Sequence, residues 1–293
     1  MSSPFEAPAG APPPPPRVAP PGRRGRGLSA GGWIGVALIG LILALAIFAP
    51  LLANGPPERI DLAAAFRPPG PGHPLGTGDN GVDLLAQIAY GARVSLWVGL
   101  SAVLLSGLFG TAIGTIVGYA GGLADEITMR VVDVLLAFPG LLLAIFLTSV
   151  LGPSVRGLIL ALCATAWVSY ARLARAQVLA LRRRDFIVAT QALGASLPRI
   201  VFRHLLPNLL SPILVQATFG LPAVILAEAA LSFLGLGVPP GTPSWGALVD
   251  QGTAHLLDAP QVALLPGVAI AVTVLGFNFL GDALRDRLDP RVR

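Results

Sequence analysis

With 293 residues, 54% of them hydrophobic and only 12% charged, and a mean hydropathy of +0.75, the chain is composed for lipid rather than water. All 20 basic residues are arginine, which excludes a Walker A lysine, a pyridoxal Schiff base and any lysine nucleophile. One cysteine (Cys163) and three scattered histidines (His73, His204, His255) make neither a disulfide framework nor a zinc cluster, and the net charge of +5 has to be read from where the arginines fall.

Residues 1–28 hold Pro12 to Pro16, Pro20 and Pro21, then Arg23, Arg24 and Arg26. They predict a disordered, Pro/Arg-rich cytoplasmic tail with a short polyproline II stretch. Two readings stand open for it, a docking ligand or a solvated tail whose arginines hold the next helix inside. Arginines followed by an apolar run that ends near Ala44-Leu45-Ala46 also imitate a signal peptide, but the uncharged run from Trp33 to Ala53 reaches about 30 Å, the hydrocarbon thickness. A retained transmembrane helix at 29–54 is expected, followed by an extracytoplasmic loop at 55–90.

The uncharged runs Val94–Ala124 and Val134–Val155 predict spans two and three. Span four begins at Gly157 and continues to about Leu179 if Arg172 and Arg175 snorkel to the interface. Span five is Leu205–Ala227, extending past Glu228 to about Leu236, and span six is Ala259–Gly281. The core thus covers 91–285, with a cytoplasmic C-terminal tail at 286–293. With the N-terminal tail inside, 16 of the 20 arginines are cytoplasmic and none lies between spans five and six. The positive-inside rule accounts for the charge, and no nucleic-acid partner is implied. The fold class is an all-α membrane protein of six transmembrane helices with both termini cytoplasmic.

Inside span two, Gly110, Gly114 and Gly118 recur every fourth residue. That spacing allows close approach of another helix, with a ligand-contacting stripe as the alternative. Pro139, Pro212, Pro222 and Pro266 each remove a backbone donor and bend a span. Asp133 and Glu228 are costly in a membrane, and either a hydrogen-bonded structural role or a gate or relay would justify them.

Residues 182–208, between spans four and five, are too polar to span and too apolar for a plain loop. Asp185 follows three arginines; Phe186, Ala189, Ala192 and Leu193 then recur as on one face of a short helix. Gly194 permits a turn with little room, and Ser196 with Pro198 starts a second helix. An apolar edge of this kind suits either a soluble partner's groove or the lipid interface.

Within this segment Ala189, Gly194, Arg199, His204, Leu206, Pro207 and Asn208 resemble the cytoplasmic "EAA" loop of ABC importer permeases, specifically the second permease of the dipeptide/oligopeptide/nickel branch. His73 to Thr77, Tyr90 to Leu96, DVLLAFP at 133–139, YARL at 170–173, EAALSFLGLG at 228–237, PSWG at 243–246 and FNFLGDALRDRLDP at 277–290 resemble that family in order and spacing, covering about residues 73–293. Departures are Val188 and Thr190, where the family usually has glutamate and alanine, Val82 in place of an arginine, and an inserted Gly78.

The resemblance implies a type I ABC importer permease fold with a cytoplasmic coupling helix. It implies ATPase coupling through Asp185, Phe186, Ala189, Ala192, Leu193, Gly194, Ala195, Arg199, His204 and Pro207. The implied partners are a homologous permease, two ATP-binding cassette ATPase subunits, an extracytoplasmic binding protein and membrane lipid. No cofactor is bound by this chain, since ATP and magnesium belong to the partners. An ion-coupled secondary transporter and a membrane scaffold are the rival classes.

Overall fold

The computed structural model describes residues 28–53 and 60–288. All but Leu28 of the expected N-terminal tail, and the last five residues of the C-terminal one, lie outside the described residues. Among those described, the regular structure is helical apart from isolated bridges at Gly70–His73 and Thr77–Asp83. The helices are α1 (Ala30–Ile47), α2 (Ala49–Leu52), α3 (Leu84–Ala120), α4 (Gly122–Ala137), α5 (Gly140–Leu151), α6 (Val155–Leu181), α7 (Asp185–Ala192), α8 (Leu197–Ile200), α9 (Leu206–Phe233), α10 (Trp245–Thr253) and α11 (Gln261–Leu288).

Ser29 starts α1 by accepting a hydrogen bond from Gly32 N at 3.2 Å. At the other end the orphan carbonyls of Ala46 and Ile47 accept from the Arg93 guanidinium, the Ile47 bond being 2.9 Å. This contact lets α3 carry an arginine, so the helix begins at Leu84, with Asp83 accepting from Leu85 N, rather than after residue 90. The expected outer loop is correspondingly shorter.

The third span is not one helix over 134–155. Two limbs, α4 and α5, meet at 92° around Phe138 and Pro139. The proline has no N–H to give and pushes the preceding residue out of the helical region; Phe138 accordingly sits at ψ 138°. At 12 residues α5 reaches only about 18 Å, short of a bilayer. Among the described residues, five helices are long and apolar enough to cross a membrane, or six if the bent pair counts as one span.

The closest packing joins α3 to α6. A Cβ built on Gly114 would lie 2.1 Å from the Ala171 carbonyl oxygen, and one on Gly110 2.3 Å from that of Trp167. Three of the apolar clusters build the core around this seam. The central one joins Val98 and Ala102 of α3, Leu158 and Leu162 of α6, and Leu221 and Ile225 of α9. Around Trp245, a second gathers Ile42, Ile88, Leu248 and Ala269. The third, at the α7 end, is built by Val178, Ile187, Ile200, Leu205 and Leu209.

Because Gly114 faces backbone, which cannot swing away, Gly114→Ala should destabilise the fold by roughly 1–3 kcal/mol. Gly40→Ala, with nothing within 4 Å of the added carbon, should not. Thermal unfolding of the two variants in one detergent checks the difference.

Candidate functional site

Beyond the end of α6 the chain turns through Arg182 to Arg184 into α7, whose first-turn Asp185 complements the helix dipole. The helix ends in two crossed bonds, Gly194 N to Gln191 O at 2.9 Å and Ala195 N to Thr190 O at 3.2 Å. That arrangement requires a left-handed residue after the cap, and Gly194 has φ +77°. No heavy atom of this chain lies within 4 Å of a carbon added there, so within the chain the constraint on this residue is conformational. Next, α8 carries Pro198 in its first turn, and a five-residue π-turn, Val201–Leu205, feeds into α9.

Ile187 anchors α7. It is fully buried against Val178 of α6, Ile200 of α8, Leu205 of the π-turn and Leu209 of α9. Gln191 Nε2 donates to Tyr119 Oη at 2.9 Å, tying the same helix to the end of α3, and Arg182 Nη1 donates to Gly118 O at 3.2 Å. The opposite side of α7 is bare. Asp185, Phe186, Ala189, Ala192, Leu193 and Gly194 are exposed, as are Arg199 and Pro207, while Ala195 and His204 are half-buried. Leu193 is 88% exposed and Val188, at the usual glutamate position, 51%. The Phe186 and His204 rings lie 6.2 Å apart.

Ile187 is the residue that sequence reasoning missed. Its neighbours one turn on along the same side are Thr190 and Gln191, both polar, so no apolar periodicity marked that side and nothing distinguished Ile187 from the exposed Val188 beside it.

Two arginines of α6 are paired with α4. Arg175 holds Asp125 of α4 through Nε to Oδ1 and Nη2 to Oδ2, the latter at 2.6 Å, and Arg172 Nη2 donates to Asp133 Oδ1 at 2.8 Å. Both pairs clip α4 to α6. At the far end of the bundle the buried Glu228 accepts from Ser95 Oγ (3.0 Å) and Ser232 Oγ (2.8 Å). Trp245 N donates to the same Ser95 oxygen at 3.4 Å, and Trp245 Nε1 to Ile88 O at 3.1 Å. Gly110, Gly114 and Gly118 lie along α6, facing Trp167, Ala171 and Arg175 in turn.

The whole arrangement is a membrane-embedded bundle with a short helical bracket at one end, fixed by one aliphatic anchor and presenting an apolar edge.

Residues 110–293 match the family model described as the binding-protein-dependent transport system inner membrane component. A putative peptide transport system permease protein of Brucella suis is 44% identical, the alignment covering 89% of this chain and 88% of that one. The oligopeptide transport system permease protein OppC of Bacillus subtilis is 41% identical over 89% and 85%. The dipeptide transport system permease protein DppC of Haemophilus influenzae is 39% identical over 90% and 91%. Among solved structures, an inward-facing MetNI methionine ABC transporter superposes with a TM-score of 0.52 at 22% identity, covering 66% of this chain and 94% of its own.

Truncating the anchor should loosen α7 alone. We expect Ile187→Ala to cost roughly 2–5 kcal/mol locally and to abolish hydrogen-exchange protection in residues 188–193 while α3 amides keep theirs. Unchanged protection there would mean that the Gln191–Tyr119 bond suffices to seat the helix.

Proposed function

This chain belongs to the family of binding-protein-dependent transport system inner membrane components, and from that membership we propose that it is the permease subunit of an ATP-binding cassette importer for di- or oligopeptides or related small solutes. The peptide assignment rests on relatives at about 40% identity that carry peptide, dipeptide and oligopeptide permease names. The observation that carries the mechanism is the bare side of α7. Phe186, Ala189 and Leu193 stand exposed on a helix whose other side is locked by Ile187. Such a face, at the arginine-rich end, suits the groove of a soluble partner.

In this reading two ATPase subunits receive the α7–α8 bracket, a homologous permease completes the passage, and an extracytoplasmic binding protein delivers the solute at the α10 end. ATP and magnesium are bound and turned over by the ATPases; without lysine this chain has no P-loop. Closure of the ATPases pushes on α7. Through Ile187 the push reaches α6 and α9 together, and the interior prolines of α9, Pro212 and Pro222, provide bending points. Binding energy of one partner thereby biases the passage between its two accessibilities.

The arginine distribution sets both termini and α7 in the cytoplasm. In a Cys163→Ala background, a cysteine at Leu257, 98% exposed beside α10, should react with an impermeant thiol reagent from outside in intact cells. A cysteine at Arg183 should react only after permeabilisation. The reverse pattern would invert the proposed topology.

Coupling is tested by reconstituting the permease pair, ATPases and binding protein in vesicles. The purified chain alone should hydrolyse no ATP. In the complex, Gly194→Val forces a β-branched residue to φ +77°, strain of roughly 1–3 kcal/mol, and should lower both uptake and solute-stimulated ATP hydrolysis by about tenfold. Affinity of the isolated binding protein should not change. Full uptake with full stimulation in this variant would remove α7 as the coupling element.

A further inference from the structure

The exposed faces of the long helices are not alike. On α3 the exposed side chains include Trp97, Leu100, Leu104 and Leu108, and on α11 Leu264, Val268, Leu275 and Phe279. These are lipid-facing stripes at helical spacing. On α6, from Ala161 to Leu181, no large apolar side chain is exposed. The exposed residues there are Ser169, Arg172, Ala176 and Ala180, spaced three or four apart and therefore on one face.

Depth makes this unusual. The 27 residues of α6 extend about 40 Å, and Arg172 lies about 24 Å from Arg156 and about 15 Å from Arg182 along the axis. With the start of α6 placed at the outer surface, Arg172 falls within the first ~30 Å of the helix, the hydrocarbon thickness, and its guanidinium and the Asp133 carboxylate are 58% and 57% exposed. An ion pair exposed at that depth is not tolerated against hydrocarbon; such groups face the bundle interior or water. A tightly packed partner helix is also disfavoured. Arg172 has five N–H donors and makes one hydrogen bond within the chain, so dry burial would leave the rest unsatisfied. Arg175, one turn on, has both of its forks occupied by Asp125 and cannot share them.

We infer that the Ser169–Arg172–Ala176 face of α6 lines the water-filled passage of the transporter, with the Asp133–Arg172 pair as a charged contact on its wall for polar, charge-bearing solutes. The pair presents one group of each sign, the chemistry that a solute with a free amino group and a free carboxylate would meet. This rests on the permease reading, because the passage is completed by the second permease.

The test uses the assembled complex in nanodiscs, with Cys163→Ala as background. Ser169→Cys should react with small charged methanethiosulfonates at least tenfold faster than Leu104→Cys on the lipid face of α3. The ratio of the anionic to the cationic reagent's rates at position 169 should then respond to the pair. Asp133→Asn should raise it and Arg172→Gln lower it, each by about tenfold for a charge several ångströms away in water. Slow modification equal to that of Leu104→Cys, or a ratio indifferent to both substitutions, overturns the inference. Binding-protein-stimulated ATP hydrolysis by each cysteine variant separates the two claims. Stimulation with an inert position 169 sinks only the passage wall, whereas no stimulation in the background variant itself sinks the permease reading.

Discussion

Everything distinctive about this bundle depends on how closely α3 and α6 approach each other. Gly114 presents no side chain to the carbonyl of Ala171, so two backbones meet where ordinary residues would hold helices 8–10 Å apart. With α6 fixed in that position, its other faces become available. Tyr170 reaches into the space between α3 and α9, lying beside Gly107 and Gly220. Arg172 and Arg175 hold α4, and Val178 receives Ile187 of α7. A bulkier stripe on α3 would shift all of these contacts together.

The second constraint is that polar groups have to find partners without water. Arg93 fills the orphan carbonyls at the end of α1, Arg175 takes Asp125 in a bidentate grip, and Glu228 collects two serine hydroxyls. Each contact links elements far apart in sequence or spans a helical turn, so the charges that hydropathy counts as breaks are here the joints of the fold. Arginine suits the role because its planar fork makes several directed bonds at once.

This explains what the sequence could and could not tell. Long uncharged runs have essentially one physical reading, and the spans of α1, α9 and α11 fall where those runs lie, whereas α6 continues ten residues past the short run that ends at Ala171. The start of α3 and the break at Phe138–Pro139 were less legible. The first depends on Arg93 finding carbonyls 46 residues away; the second on whether a proline kinks a helix or ends it, which neighbouring packing decides. At the bracket, the exposed residues Phe186, Ala189 and Leu193 were visible as helical periodicity. Ile187 was hidden because its contacts come from α6, α8 and α9 rather than from its own face. The turn at Gly194 was legible from residue type, but the open space around it was not.

The seat of the anchor and the proposed passage wall are parts of one helix. Ile187 seats α7 against Val178, which lies two residues beyond Ala176 and six beyond Arg172 on α6. A rigid helix transmits displacement at its end along its whole length, whereas α9 is interrupted by a π-turn at its start and by Pro212 and Pro222 inside. In the proposed mechanism a push on α7 is therefore divided unequally. On α6 it moves a stiff rod bearing the exposed ion pair, and on α9 it is absorbed as bending. The clips from Asp125 and Asp133 make α4 travel with that rod, and α5, which packs on α6 beyond the proline break, is carried along. The body that would move with α6 thus includes α4, α5 and, through the Gly114 seam, α3, and the element built to flex is α9.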